Sequence, residues 1–313
     1  MLRDEFIPQA GKIRFIFFSG KGGVGKSTLS AATSVWLADH GYKTLLVSTD
    51  LQRSQDDIFE QSFDVTPTPV DGVPNLSALN TDVDKNIQQH QMRMMQVMEN
   101  ILGDVPELGF LKEHYSQNPC CETAAWNRMT EFMNTTDFEA IVFDTAPGGH
   151  SLETIMYPIK QARNLYAMIQ AKRAGAELAG KEADVAVLEQ IVRENEQAIQ
   201  LMRSDQTKYT LIMHPRRLPL FEAERMIEAL QRFDLKADCL VVNEVLAASE
   251  VERSTDFFRE IHALQDKYMA EAEKRFARLT IAKLTLESKE VIGKESLRKL
   301  GAALFDGRVG QEV

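Results

Sequence analysis

The stretch Ser19-Gly20-Lys21-Gly22-Gly23-Val24-Gly25-Lys26-Ser27-Thr28 decides the fold, because it carries the G-x-x-x-x-G-K-[ST] pattern of a phosphate-binding loop. An apolar run over 13–18 precedes it and is short enough to be a buried strand. A helical pattern follows over 29–40. The loop therefore has the strand–loop–helix context that this motif requires, and it predicts a nucleotide-binding protein.

The residue types of the loop suit the binding of nucleotide phosphates with Mg²⁺. Glycines without a Cβ let successive backbone N–H groups turn towards phosphate oxygens, and the start of the following helix adds its positive dipole end. Lys26 is predicted to reach the β- and γ-phosphates, the Ser27 hydroxyl to ligate Mg²⁺, and Thr28 to contact the α-phosphate. The backbone that surrounds the phosphates is expected to come from Gly20, Lys21, Gly22, Gly23, Val24 and Gly25.

A second lysine, Lys21, lies near the start of the loop, too early to take the role of Lys26. As a flexible positive charge, it could reach the phosphates of its own nucleotide or of one bound across an interface. The other interpretation is an ordinary solvated loop lysine.

Apolar runs that end at polar residues alternate with helical patterns along the chain. After the first run they cover 43–49, 76–79, 138–143, 209–213, 238–242 and 279–286. This alternation predicts an α/β fold with a doubly wound, mostly parallel sheet covered by helices on both faces. We expect 11–83, 136–150 and 206–305 to form this core. The stretches 84–134 and 151–205 are expected to form an inserted α-helical subdomain, with an early helix break at Pro158.

Four polar residues, Lys26, Asp50, Asp144 and Asn243, come at or after the ends of candidate strands, so we expect them at one edge of the sheet. Asp144 is placed to hold Mg²⁺ through the waters of the metal. Asp50 could orient the attacking water or cap a helix. Gly148 lets the backbone approach a γ-phosphate and move when it leaves.

Composition limits the function classes. The chain has 313 residues and a net charge of −10, which argues against nucleic acid as the main partner. No apolar stretch reaches the roughly 18 residues that span a bilayer, and the N-terminus lacks the apolar region of a signal peptide. Three cysteines do not form a disulfide framework. A cytoplasmic protein without a transmembrane segment of its own is expected.

Three segments together resemble the signature-lysine class of phosphate-loop ATPases. They are 20–28 with its Lys21, Ser48-Thr49-Asp50 with Ser54 and Asp57, and 144–152, which reads Asp-Thr-Ala-Pro-Gly-Gly-His-Ser-Leu. The branch they resemble holds the arsenical-pump ATPases (ArsA) and the ATPases that target tail-anchored membrane proteins. The similarity covers roughly residues 13–305.

The resemblance implies a homodimer, or two fused halves, whose two ATP sites face each other. Lys21 would then contact the nucleotide of the other subunit, so Lys21, Lys26 and Asp50 are the expected catalytic residues. Gly148 would lie in a second switch, and Asn243 would bind adenine. Since the chain has one such loop, it should pair with another copy, closing on ATP and opening after hydrolysis.

The chain departs from the resembled pattern at several positions, one of which is Thr285, where the adenine-side segment of the pattern has proline. After Asp50, the usual Pro-Ala-His-Ser is replaced by Leu51-Gln52-Arg53-Ser54, so Arg53 could add charge near phosphate or be a surface residue. No cysteine follows Cys239, so the Cys-x-x-Cys zinc clamp of the targeting branch is absent. Cys239 lies in a strand pattern and is expected to be a small buried hydrophobic residue.

Two cargo hypotheses follow. Cys120 and Cys121 fall close to a metalloid-binding cysteine of the pump ATPases, whose further ligands include the position of His150, although the downstream cysteine is missing. The pair could equally pack at a helix start. The methionine-rich segment 92–98 instead suits an apolar groove for a client helix, or a core. We expect an arsenite or antimonite efflux ATPase working with a membrane pump, with a membrane-protein client as the alternative and a partitioning or cofactor-insertion ATPase less favoured.

Overall fold

The computed structural model describes residues 2–49, 53–81, 129–130, 132–133, 137–145, 149–178, 185–252 and 255–307. For 149–154, 157–158, 160–161 and 187 it describes the backbone alone. The chain divides into two units, each with its own packing. The first comprises 1–80, 136–152 and 205–313, and the second comprises 81–135 and 153–204.

The first unit is built on one sheet of eight strands. Their bounds are β1 Arg14–Gly20, β2 Thr44–Ser48, β3 Thr68–Pro69, β4 Leu76–Asn80, β5 Ala140–Asp144, β6 Thr207–Met213, β7 Ala237–Val245 and β8 Thr280–Thr285. The spatial order is β3-β4-β2-β5-β1-β6-β7-β8, and every neighbouring pair is parallel except β3 with β4. The predicted mostly parallel sheet is confirmed.

Nine helices are complete within the described ranges. Their bounds are α1 Leu2–Phe6, α2 Lys26–Asp39, α3 Ser54–Phe59, α4 Gly149–Leu178, α5 Ala186–Arg203, α6 Arg217–Gln231, α7 Ala248–Glu252, α8 Asp256–Arg275 and α9 Lys294–Phe305. Every helix in the described ranges is too short or too polar to cross a bilayer.

The central strand β1 is buried along its whole length, which explains its continuous apolar run. Alternate side chains of β1 lie on opposite faces of the sheet. Ile16 and Phe18 join an apolar cluster with residues of α1, α2 and α9. Phe17 points to the other face, where its ring stacks between those of Phe143 and Tyr209 at centroid distances of 4.5 and 5.3 Å. Both faces therefore contribute a core, as a doubly wound sheet requires.

The amino ends of the strands carry a cluster of charges. Lys208 of β6 lies 2.7 Å from Glu5 Oε2 and 3.4 Å from Asp238 Oδ1, while the N–H of Tyr209 donates to Asp238 Oδ2 at 3.0 Å. Hydrogen bonding to Lys208 lowers the pKa of Glu5, whereas burial raises that of Asp238. Arg14 of β1 donates to the carbonyl oxygen of Ile7 and so holds the segment after α1.

In the second unit, α4 and α5 pack through an apolar cluster. Leu165 and Ile169 of α4 meet Val185, Leu188 and Val192. Burying these side chains at helical spacing stabilises the pair.

Helix α3 was not predicted from the sequence, and one predicted helix break was wrong. Helix α3 lies in the polar stretch after Asp50, where Gln55, Ile58 and Phe59 are buried along one side. The break at Pro158 was wrong, since α4 continues through this position. A proline removes one backbone hydrogen bond at a cost of about 3 kcal/mol, and thirty residues of helix make many others.

Candidate active site

The phosphate-binding loop joins β1 to α2, and at two of its positions neighbouring atoms leave no room for a residue with a Cβ. A Cβ on Gly20 would lie 2.5 Å from the carbonyl oxygen of Ile212 in β6. Gly25 has φ +92°, and a Cβ there would lie 2.6 Å from Asn243 Nδ2. The loop can therefore keep this path only with glycine at both positions.

Lys26 begins α2 and curls back over the loop. Its side chain is buried, and Nζ donates to the carbonyl oxygen of Lys21 at 3.1 Å. Ser27 and Thr28 follow in the first helical turn, where backbone N–H groups have no partner within the helix. Positive charge and the N–H groups of a first helical turn thus meet at one helix end, which suits a phosphate.

The signature position, Lys21, has a carboxylate partner in its own chain. Its Nζ lies 3.6 Å from Glu222 Oε1 on α6, and half of its side chain is exposed. The other oxygen of Glu222, Oε2, is buried and has no hydrogen-bond partner among the described residues. An ion pair this exposed is weak, so the ammonium group can be drawn away from it.

Asp144 is the last residue of β5 and is fully buried. Thr49 fixes its backbone by donating both N–H and Oγ1–H to the Asp144 carbonyl oxygen, at 2.9 and 3.2 Å. Gln55 of α3 fixes its side chain, because Nε2 lies 2.8 Å from Asp144 Oδ2. Thr49 and Gln55 thus fix the backbone and the side chain of Asp144.

Arg53, at the position where the resembled pattern has histidine, turns away from the loop. It lies 2.9 Å from Asp56 Oδ2 and donates to the carbonyl oxygen of Phe63 at 2.7 Å. More than half of the side chain is exposed. Of the two interpretations of Arg53, this geometry favours the surface residue.

A bulge near the end of β7 directs Asn243. The β7–β8 register shifts between Val242 and Val245, and Glu244 has φ +59°. Gln265 of α8 holds the bulge, because its Oε1 accepts from Leu246 N at 2.8 Å and its Nε2 donates to the Glu244 carbonyl oxygen at 3.0 Å.

The Asn243 side chain then reaches the phosphate-binding loop. Its Nδ2 donates to the carbonyl oxygen of Val24 at 3.0 Å. The predicted base-binding residue and the predicted phosphate-binding loop are therefore in direct contact.

His214, directly after β6, lies near this end of the site. Its Nε2 is 3.4 Å from Glu244 Oε2. Burial lowers the pKa of His214, and Arg216 adds to this effect, while Glu244 opposes it. The imidazole is thus kept neutral near physiological pH.

The buried carboxylate of Asp144 fits Mg²⁺ held largely by nucleotide oxygens and water. Mg²⁺ commonly takes one or two protein ligands and keeps several waters when it is bound with a nucleotide. Within the described ranges no group of three or more His, Cys, Asp or Glu side chains could hold a metal by itself. The candidate ligands are Asp144, at the end of β5, and Ser27, in the first turn of α2.

Several predicted site residues lie outside the described residues: Asp50, Gly148, Cys120 and Cys121. The methionine-rich segment 92–98 does so too. His150 is the second residue of α4, and only its backbone is described. Cys239 is fully buried in β7, where burial raises the pKa of its thiol, so the expectation of a small buried residue is confirmed.

Sequence reasoning gave no role to Thr49, although Thr49 stands in the segment Ser48-Thr49-Asp50, and it missed Gln55 entirely. Gln55 lies in a stretch that looks solvated because Arg and Asp surround it. The one usable signal was spacing, since Gln55, Ile58 and Phe59 share one side of a short helix.

Comparison with known proteins gives a consistent result. The model of a family described as anion-transporting ATPase matches residues 13–306. A protein of Halobacterium salinarum, named provisionally as an arsenical pump-driving ATPase, is 33% identical over 96% of this chain. The chain spans only 45% of that relative's length.

Two eukaryotic relatives are matched over most of their length. A Pyrenophora tritici-repentis protein named ATPase get3 is 26% identical, over 93% of this chain and 91% of its own length. An Arabidopsis thaliana protein named ATPase GET3A is 28% identical, over 91% of this chain and 82% of its own.

Proposed function

The chain belongs to the ArsA family of anion-transporting ATPases, and from this premise we propose that it hydrolyses Mg-ATP as one half of a homodimeric clamp. One observation carries the proposal. The glycine loop with Lys26, the carboxylate of Asp144 and the amide of Asn243 lie at the same edge of one sheet, and Asn243 contacts the loop. This arrangement supports roles for these residues in binding the phosphates, the metal and the base of one nucleotide.

The loop and α2 supply the phosphate contacts in this proposal. Backbone N–H groups of 20–25 surround the phosphates, Lys26 contacts the β- and γ-phosphates, and Thr28 the α-phosphate. Ser27 and Asp144 hold Mg²⁺, Asp144 through water. Bound Mg²⁺ neutralises charge that develops on the phosphates during transfer.

Asp50 is the proposed water-orienting residue. It follows Thr49, whose two hydrogen bonds to the Asp144 carbonyl oxygen bring this part of the chain to the metal side of the site. A carboxylate there could accept a proton from the attacking water. Gly148, after β5, would let the backbone follow the γ-phosphate and relax when it leaves.

At the other end, Asn243 would bind adenine. Since its Nδ2 donates to Val24, its amide oxygen is the atom suited to accept from the amino group of the base.

Lys21 supports the dimeric part of the proposal. Its ammonium group is half exposed and its ion pair with Glu222 is weak. In the closed dimer it would leave Glu222 for the phosphates bound to the partner copy. The protein would work in the cytoplasm, at a membrane only through a partner.

The direct test replaces Asp50 by Asn and measures ATP binding and steady-state turnover separately. The variant should bind Mg-ATP within about threefold of the original chain while losing at least 100-fold in turnover, because the base is removed and the phosphate contacts remain. Turnover near the original rate would overturn the role of Asp50.

For the cargo, we propose arsenite or antimonite, exported through a membrane pump. The adjacent thiols of Cys120 and Cys121 support this, since As(III) favours thiolates and two copies could each supply one. The missing Cys-x-x-Cys after Asn243 also separates the chain from the targeting branch. Arsenite should stimulate ATP hydrolysis, and Cys120→Ser/Cys121→Ser should abolish the stimulation while leaving the basal rate. An original chain that arsenite and antimonite leave unstimulated would contradict the proposal.

A tail-anchored membrane protein is the second candidate cargo, favoured by the methionines of 92–98. The described part of the helical unit gives it less support, because Val185, Leu188 and Val192 are already used in packing α5 against α4. Co-purification with a tail-anchored protein, reduced by Met94→Asp/Met98→Asp, would favour this cargo over a metalloid.

A further inference from the structure

Gln55, in the first turn of α3, connects three elements of the site although no motif contains it. Its side chain is 1% exposed. From one nitrogen, Nε2, it reaches Asp144 Oδ2 at 2.8 Å, the carbonyl oxygen of Ser27 at 3.2 Å and Ser30 Oγ at 3.3 Å. The glutamine therefore touches both residues that are the candidate Mg²⁺ ligands.

These contacts settle which end of the amide faces Asp144. A carboxylate oxygen and a backbone carbonyl oxygen are acceptors only, so they require the amino group and would repel the amide oxygen. Oε1 is then at the opposite end of the planar amide group. There it is buried, and no donor among the described residues makes a hydrogen bond to it.

A buried acceptor without a donor is destabilising, and in a native protein it calls for a ligand or a water. Oε1 is bonded to the same carbon as a nitrogen that contacts Asp144, so one bridging water is long enough to connect it to that carboxylate. The waters that Mg²⁺ retains are donors of this kind.

We propose that Gln55 is a positioning residue of the metal site, whose Nε2 orients Asp144 and whose Oε1 accepts a hydrogen bond from a water on Mg²⁺. This inference rests on the proposed function. The amide is neutral, so it can sit beside Asp144 where a second carboxylate would repel it. Because Gln55 belongs to α3, metal binding and the position of α3 stabilise each other.

The test uses Gln55→Met, which keeps the length of the side chain and removes both polar atoms. Mg²⁺ affinity is measured by calorimetry on the complex of the full chain with a non-hydrolysable ATP analogue, and Mn²⁺ affinity by electron paramagnetic resonance. We expect affinity for either metal to fall about tenfold or more, the usual effect of losing a residue that orients a metal ligand. Analogue affinity in EDTA should stay within twofold.

Gln265→Met is the matched control. Gln265 is another buried glutamine, but both ends of its amide are bonded to the backbone, to Leu246 N and to the Glu244 carbonyl oxygen. Its replacement should lower the melting temperature of the nucleotide-free chain by several degrees. The ratio of analogue affinity with Mg²⁺ to that in EDTA should not change, although overall affinity could fall through Asn243.

The outcomes separate the inference from the proposed function. If Gln55→Met binds both metals within twofold of the original chain, the positioning role is wrong while the nucleotide site stands. If the original chain shows no Mg²⁺-dependent analogue binding, the proposed function is wrong, and this inference is then wrong too. Should Gln55→Met not fold, Gln55→Asn carries the same measurement, since an amide one methylene shorter cannot keep its contact with Asp144.

Discussion

The two edges of the sheet treat their polar groups differently. At the amino ends of the strands, Lys208 lies between the carboxylates of Glu5 and Asp238, and Arg14 donates to backbone oxygens. At the carboxyl ends, Gln55 and Glu222 each keep a buried oxygen without a hydrogen-bond partner among the described residues. Among the described residues, the charges named at the first edge contact one another or backbone oxygens, whereas the second edge has buried polar atoms that a ligand or a water could satisfy. A charged cluster by itself therefore does not mark a functional site in this chain.

Removing one lysine from each edge gives the largest contrast. Lys26→Ala should weaken ATP binding about 10- to 100-fold, the effect of losing a charge-assisted hydrogen bond. Lys208→Met should leave ATP affinity within twofold. Fluorescent-nucleotide titration of both variants measures this, and an equal loss in both would mean that the edges are not distinct.

The change at the amino edge, Lys208→Met, should instead reduce the stability of the protein. Lys208→Met leaves Glu5 and Asp238 without their shared cation, which should lower the free energy of unfolding by about 1–3 kcal/mol and the melting temperature by several degrees. Calorimetry measures the shift. A second change, Asp238→Leu, in the same chain should recover part of it, and no recovery would indicate that packing of the Lys208 stem was the main loss.

His214 brings a pH dependence to the carboxyl edge. Burial lowers its folded-state pKa below the ordinary 6.5, so its contribution to stability is complete above pH 6.5 and is lost as the pH falls through the folded pKa. His214→Gln should therefore flatten the fall in unfolding free energy below pH 6.5, by less than the roughly 1.4 kcal/mol per pH unit that one proton allows. Denaturant unfolding between pH 5 and 8 measures the slopes. His262→Gln is the control, because His262 on α8 lies 3.1 Å from the carboxylate of Asp266 one helical turn away. An equal change in that variant would mean that the slope does not come from His214.

The smallest effect is expected at Lys21. Glu222→Gln weakens its ion pair, so Lys21 should be more available to a partner's nucleotide, and ATP-driven dimerisation should tighten by up to about fivefold. Analytical ultracentrifugation with and without ATP measures it. Glu224→Gln is the control and should change nothing, because Glu224 lies on α6 like Glu222 but pairs with Arg275 of α8. Weaker dimerisation in Glu222→Gln would show that Glu222 itself serves the interface.

The fold was largely predictable because its information is local. The motif around Lys26 and the apolar runs that end at Asp144 and near Asn243 gave the parallel sheet and the edge where the candidate site lies. Helix α3 and Gln55 were not predictable, since a six-residue helix gives a short periodic signal and the burial of a glutamine depends on tertiary neighbours. Helix α4 is a second case in which the local sequence was misleading. Pro158 predicts a helix break, but α4 continues through this position.

The double hydrogen bond from Thr49 to the carbonyl oxygen of Asp144 limits how this molecule can report the state of its nucleotide. These two hydrogen bonds join the carboxyl ends of β2 and β5, and the parallel register of the two strands is continuous up to that point. The sheet is then a fixed frame, and loss of a phosphate cannot be transmitted by strands sliding apart. We expect any conformational signal to pass through the chain segments that follow Thr49 and Asp144. The amide hydrogen of Thr49 should exchange with solvent equally slowly whether ATP or ADP is bound.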